Sequence, residues 1–180
     1  MTKLNRLGFI RWGKKKAGLV FIALLLLLFM GSLVEKSQPI VPAPALSFTT
    51  LYGEKLSLAQ WRGKPVLVTF WATDCPSCIQ EVNDFIDLYQ QFHSNGLEII
   101  AIAMAYDPPN HVVEMTKMKQ IPYPVALDLR SEHARAFGGV PFTPTTFLID
   151  PAGNIVFSKV GRFDLTAMQQ RLQQLLKKAQ

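Results

Sequence analysis

Residues Val66–Cys78 read V-L-V-T-F-W-A-T-D-C-P-S-C, and this stretch constrains the fold more than any other. A β-branched and aromatic run reads as a strand buried on both faces. It ends at Cys75 and Cys78, the two cysteines among 180 residues. Pro76 follows at once, where the first turn of a helix tolerates proline. Ile79, Val82, Phe85, Ile86, Leu88, Tyr89 and Phe92 then recur at helical spacing up to about His93. A strand that hands Cys75 to a helix start sets the sulfur against unpaired N–H groups. That field favours thiolate, and such cysteines fall from a free pKa of ~8.5 into a range of about 3.5–7.5. Cys78, one turn on, faces the same way and can close a disulfide. The pair reads as a redox switch. A purely structural disulfide is a poor alternative, because so short a loop constrains the unfolded chain little.

The ends of the chain set its topology. Lys3, Arg6, Arg11, Lys14, Lys15 and Lys16 precede an uncharged apolar or small-residue run, Ala17–Val34, of 18 residues. That length is at the lower limit for a membrane-spanning helix. A cleaved secretory signal has a shorter apolar region with its small-residue site directly behind it. The one such site, Ala43-Pro44-Ala45, lies well downstream, so the reading is an uncleaved anchor. Positive charge stays inside, which puts residues 1–16 in the cytoplasm and the rest outside a bacterial inner membrane. The net charge of +6 does not point to nucleic acid. Six of the 19 basic residues lie before the anchor, leaving 13 basic against 13 acidic residues beyond it. The exported part is neutral.

Glu35–Ala45 holds three prolines and little to bury, so it reads as a semi-extended tether. Residues 46–180 suit one domain with a real core. Leu46–Leu58 suggests an N-terminal hairpin around Tyr52-Gly53, and Asn95-Gly96 ends the helix after the cysteines. Leu97–Ala105 reads as a second buried strand and Tyr106–Asn110 as a rigid loop. A helix is expected over His111–Gln120, a short strand at Val125–Leu127 and a helix near Ser131–Phe137. Thr145–Ile149 and Ile155–Ser158 flank the turn Asp150–Asn154 and form a hairpin. Leu165–Lys178 closes the chain as an amphipathic helix. The result is an α/β order: a βαβ half, then a ββα half, with an extra strand and helix between.

At this point the residues match a family. F-W-A-T-x-C-x-x-C-x-x-E (Phe70–Glu81) and T-P-T-T-F-L-I-D-x-x-G (Thr143–Gly153) resemble the membrane-anchored, TlpA/ResA-like proteins of thioredoxin-like fold. The resemblance implies a central mixed β-sheet flanked by helices, with an N-terminal β-hairpin extension and an inserted strand and helix. It implies a thiol:disulfide oxidoreductase that needs no cofactor. Cys75 would attack and Cys78 resolve. Pro144 would be the cis-proline facing the Cys75–Cys78 disulfide, with the Thr143 backbone offering a strand-like contact. Its partners would be cysteine-containing exported proteins, apocytochrome c or oxidase copper-site proteins among them. Electrons would come from a membrane thiol transporter of the DsbD/CcdA type.

Several positions depart from the thioredoxin pattern or admit two readings. Asp74 stands where thioredoxin usually has Trp; it opposes thiolate formation, accepts a proton locally, or is simply a solvated loop acid. Thr69 replaces a buried acid, which removes proton handling by that route. Pro76-Ser77 replaces Gly-Pro inside the motif, and this leaves the direction of electron flow open. Glu81 matches the family pattern and reads first as a helix-surface acid, with a proton-relay role as the alternative. Trp71 shields the thiols or packs the core. The Met104–Pro109 loop shapes a groove or is a plain rigid turn. Phe142-Thr143-Pro144-Thr145-Thr146-Phe147 differs from the G-x-P-E-T-F of the cytochrome-c-maturation branch.

Two other classes are weaker. A peroxiredoxin-type peroxidase would carry P-x-x-x-T-x-x-C, but Val68 and Ala72 occupy the Pro and Thr positions. A copper carrier could use both thiols with His93, His111 or His133, since copper(I) suits thiolates. None of these histidines stands at a recognisable ligand spacing, and a closed zinc site would need four ligands.

Overall fold

The computed structural model describes residues 41–178. Eight strands run in chain order as β1 (Val41–Pro42), β2 (Ser47–Thr49), β3 (Lys55–Ser57), β4 (Val66–Trp71), β5 (Glu98–Ala103), β6 (Val125–Leu127), β7 (Thr145–Ile149) and β8 (Asn154–Val160). The α-helices are α1 (Pro76–Phe92), α2 (Pro109–Met118), α3 (Glu132–Ala136) and α4 (Leu165–Lys178). Six strands form one sheet in the order β1-β8-β7-β4-β5-β6, while β2 and β3 form a separate hairpin. β4 pairs in parallel with β5 and antiparallel with β7.

β4 and β5 are buried along their whole length, as two central strands between helical layers must be. Their side chains alternate between two cores. Leu67, Trp71, Ile99, Ala101 and Ala103 pack with Val82, Phe85 and Leu88 of α1, Val112 of α2, and Met168 and Leu172 of α4. Val66, Val68, Phe70, Ile100 and Ile102 face the opposite way, onto Phe48 of the hairpin, Trp61, Ala134 of α3 and Phe137. The hairpin is joined to the sheet by the Leu51 N–H, which donates to the Val125 carbonyl at 2.9 Å.

The order of elements follows the sequence reading, with shifted boundaries. β5 stops at Ala103: the Met104 N–H makes the last bond to β4, at the Trp71 carbonyl (3.0 Å), and the Asp107 N–H then closes a turn onto the Met104 carbonyl at 3.0 Å. α2 starts at Pro109, where the two prolines preset its first turn. α1 ends at Phe92, short of Asn95-Gly96, and a 3-10 turn over His93–Asn95 follows; Gly96 closes that turn with a φ of 109°, which a residue with a side chain rarely adopts. β8 runs from Asn154 to Val160, longer than the hairpin pattern suggests, with an irregularity opposite Leu148 and Ile149. Val41–Pro42, inside the stretch read as a tether, pairs with Ile155 and Asn154. Folded structure therefore begins before Leu46, and Pro42 is tolerable there because β1 lies at the sheet edge. Among the described residues no helix is long and apolar enough to cross a membrane. The anchor expected over residues 17–34 lies outside the described residues.

Phe70 marks the middle of the second core, fully buried and edge-on to both Phe137 and Phe147. Phe70→Ala is expected to cost about 3–5 kcal/mol of unfolding free energy. Urea denaturation followed by tryptophan fluorescence checks this, and a loss under 1 kcal/mol would contradict the packing described.

Candidate active site

The strand-to-helix junction is built as the residues dictate. Cys75 is the N-cap of α1 with extended backbone, and Pro76 occupies the first helical turn. Cys75 and Cys78 form a disulfide with their Cα atoms 5.2 Å apart. The Cys78 N–H donates to the Cys75 sulfur at 3.2 Å, and the Ser77 hydroxyl lies 3.4 Å from it. The sulfur thus takes the place of the side-chain oxygen that usually caps a helix. The two cysteines differ in access: Cys75 is partly exposed, whereas Cys78 is 2% exposed and belongs to the first core.

The opposite wall comes from the chain before β7. Phe70 pairs with Thr145, so Thr143 and Pro144 continue alongside the segment that leads from Trp71 to Cys75. The Thr143–Pro144 peptide is cis, as the resemblance implies. The Pro144 carbonyl accepts from the Gly161 N–H at 2.8 Å.

Glu81 corrects the surface-acid reading. It is 1% exposed, three residues after Cys78 and hence on the same face of α1. Its Oε1 accepts from the Phe163 N–H at 3.1 Å. Burial pushes its pKa from 4.5 up to about 7; the Phe163 bond and the Arg162 charge pull down, and the Asp84 charge pushes up. Arg162 itself bonds Asp84 at 2.8 Å and Gln80 at 3.3 Å. The hydrophobic periodicity hides Glu81 because it falls one position before Val82, at the margin of the apolar stripe.

Thr69 bonds Thr146 rather than carrying an acid: the Thr146 hydroxyl donates to Thr69 Oγ1 at 3.3 Å, and both residues are buried. The strand position thus carries no acid, while Glu81 is buried on the helix. Trp71 is a core residue beside Cys78, and its indole N–H has no hydrogen-bond partner among the described residues. Asp74 and Pro76 are exposed at the rim.

Sequence reasoning misses one contact. Asp107, inside the loop read as a plain turn, accepts from the Thr73 N–H at 2.7 Å and the Thr73 hydroxyl at 2.6 Å. The signal lies in the topology. Loops that follow neighbouring parallel strands meet at one sheet edge, so a loop after β5 must lie beside the loop after β4.

The histidines do not supply the ligand that a copper carrier would need. His93 bonds Tyr89 and the Leu97 carbonyl at the far end of α1, His111 is exposed on α2, and His133 lies between Asp128 and the Ser47 carbonyl. Among the described residues, no three His, Cys, Asp or Glu side chains are placed to hold a metal ion.

A mixed sheet between helical layers, with a Cys-x-x-Cys disulfide at the start of a helix and a cis-proline leading into the neighbouring strand, defines a thioredoxin-like thiol-disulfide oxidoreductase. The Redoxin family profile matches residues 38–176, and the chain belongs to that family. It is 31% identical over 175 residues to the thiol-disulfide oxidoreductase ResA of Bacillus thuringiensis subsp. konkukian, covering 91% of this chain and 98% of that protein. It is 28% identical over 129 residues to the sporulation thiol-disulfide oxidoreductase A of Bacillus subtilis, covering 71% of this chain and 76% of that one. Among solved structures, a thiol:disulfide interchange protein of the thioredoxin family from Chlorobium tepidum superimposes with a TM-score of 0.71. The two share 31% identity, over 78% of this chain and 99% of that one.

Glu81 gives a pH-dependent test. Its folded pKa of about 7 lies above the unfolded 4.5, so the folded state holds the extra proton between these values. The Glu81 contribution to stability therefore falls as pH rises from about 4.5 to about 7, by roughly 3 kcal/mol. Glu81→Gln keeps the acceptor for Phe163 without the charge. Its stability relative to the parent is expected to improve across that window, as read by denaturant unfolding at pH 5 and pH 8. An offset that does not change with pH would contradict the assignment.

Proposed function

We propose that the domain reduces disulfides in exported, cysteine-containing proteins, held at the outer face of the inner membrane by residues 17–34. One observation carries the assignment of roles: Cys75 is partly exposed at the helix start, while Cys78 is buried beside Glu81. A substrate can reach the first sulfur and not the second.

The Cys75 thiolate attacks one sulfur of the substrate disulfide, and the other leaves as thiolate. Glu81, with a pKa of about 7, takes the proton from the Cys78 thiol. The Cys78 thiolate then attacks the Cys75 sulfur, and the second substrate thiol is released. Substrate gains two electrons, and the enzyme is left with the Cys75–Cys78 disulfide. A membrane thiol transporter of the DsbD/CcdA type restores the dithiol. Thr143 and Pro144 supply the wall along which an extended substrate segment lies, and Ser77 completes the surroundings of the attacking sulfur.

The reducing direction is supported by charge. Asp74, exposed, directly precedes Cys75, and Glu81, buried, follows Cys78 by three residues on the same face of α1. Carboxylates close to a dithiol disfavour thiolate and so favour the disulfide form, which makes the dithiol a stronger reductant.

Cys78→Ser is expected to trap substrate on Cys75 as a mixed disulfide that dithiothreitol releases, visible by non-reducing electrophoresis and mass spectrometry. Cys75→Ser is expected to trap none. An adduct that accumulates on Cys78 in the Cys75→Ser protein, and not on Cys75, would reverse the order of attack.

A further inference from the structure

The loop after β5 touches both walls of the site, and the reaction above makes no use of it. Asp107 is 4% exposed although it sits in a loop. A buried carboxylate is costly unless strong hydrogen bonds compensate it, and here both oxygens bond a single residue. Oδ2 accepts from the Thr73 N–H at 2.7 Å and Oδ1 from the Thr73 hydroxyl at 2.6 Å. Thr73 belongs to the turn that the Cys75 N–H closes onto the Ala72 carbonyl at 3.3 Å. That turn sets where the Cys75 sulfur lies relative to the first turn of α1.

The Asp107 side of this contact is itself fixed. The Met104 N–H bonds the Trp71 carbonyl at 3.0 Å, and the Asp107 N–H bonds the Met104 carbonyl at 3.0 Å. Pro108 and Pro109 lock the backbone that follows. The neighbouring Tyr106, 58% exposed, reaches across so that its hydroxyl lies 3.4 Å from Thr143 Oγ1. One short loop therefore contacts the cysteine side through Asp107 and the cis-proline side through Tyr106.

We infer that Asp107 is a positioning residue for the thiol chemistry: through Thr73 it holds the Ala72–Cys75 turn so that the Cys75 sulfur stays under the Cys78 N–H. The inference rests on Cys75 being the attacking thiol. It makes a distinctive demand on sign. As a bare charge near the sulfur, Asp107 would disfavour thiolate, and its removal would make Cys75 more reactive. As the holder of the turn, it favours thiolate indirectly, and its removal makes Cys75 less reactive.

The test uses the full chain in detergent, reduced with dithiothreitol and freed of reductant. The rate of alkylation by iodoacetamide is followed across pH, with the alkylated residue identified by mass spectrometry and thermal unfolding measured alongside. Asp107→Asn removes the charge at constant size, Thr73→Val removes the hydroxyl donor, and Thr73→Ser keeps it. Asp107→Asn and Thr73→Val are both expected to raise the pH midpoint of Cys75 alkylation and to slow it about tenfold near pH 7, while Thr73→Ser stays with the parent. A faster Asp107→Asn would overturn the proposal in favour of a simple charge effect. A lowered melting temperature with an unchanged midpoint in both variants would also overturn it, leaving a scaffold role. If Asp107→Asn does not fold, the Thr73→Val and Thr73→Ser pair decides alone. Alkylation of the parent at Cys78 would overturn the attacking-cysteine assignment and this inference with it, and the labelled residue tells that failure from the others.

Discussion

A helix cannot satisfy its own first N–H groups, and in this protein the Cys75 sulfur meets one of them, the Cys78 N–H at 3.2 Å. The rest of the site serves that contact. β4 has to end at the sheet edge where α1 begins, which is why it lies between β5 and β7 and is buried on both faces. α1 has to be held along its length, and Val82, Phe85, Leu88 and Phe92 bury one stripe of it against the sheet and α4. The reactive sulfur is then fixed by a packed core rather than by a loop.

The asymmetry of the two cysteines follows from the same geometry. A helix that starts at an exposed edge and runs over a buried sheet presents its N-cap to solvent and its third residue to the core. Cys75 and Cys78 occupy those two places. Burial at Cys78 extends to Glu81, three residues on, and the low polarity there lifts the carboxyl to about 7. A strand position that carries an acid in thioredoxin holds Thr69 here, bonded to Thr146. The strand position holds no acid, and a buried carboxyl stands instead on the helix, three residues after Cys78.

Much of this was legible in the residues, because the periodicities are strong and the punctuation is clear. The apolar run at Val66–Trp71, the helical spacing after Pro76, and the turn at Asp150–Asn154 each specify one element with few alternatives. The paired motifs around Cys75 and Pro144 locate the two walls. Glu81 and Asp107 were not legible in the same way. A buried acid at the edge of an apolar helical stripe looks like any surface acid, and only the Phe163 segment packed over it decides otherwise. The Asp107–Thr73 contact spans 34 positions and depends on β4 and β5 being parallel neighbours, a tertiary fact. The early strand β1 escapes for a related reason: two residues among prolines carry no pattern, and their pairing is set by the exposed edge of β8.

The central claim is that the Cys75–Cys78 pair works as a reductant, and its reduction potential tests that most directly. The domain freed of residues 1–36 would be equilibrated in dithiothreitol or glutathione buffers and its dithiol fraction quantified by alkylation. The account predicts a potential near that of thioredoxin, ~−270 mV. A value near that of DsbA, ~−120 mV, would contradict it and mark a protein that introduces disulfides.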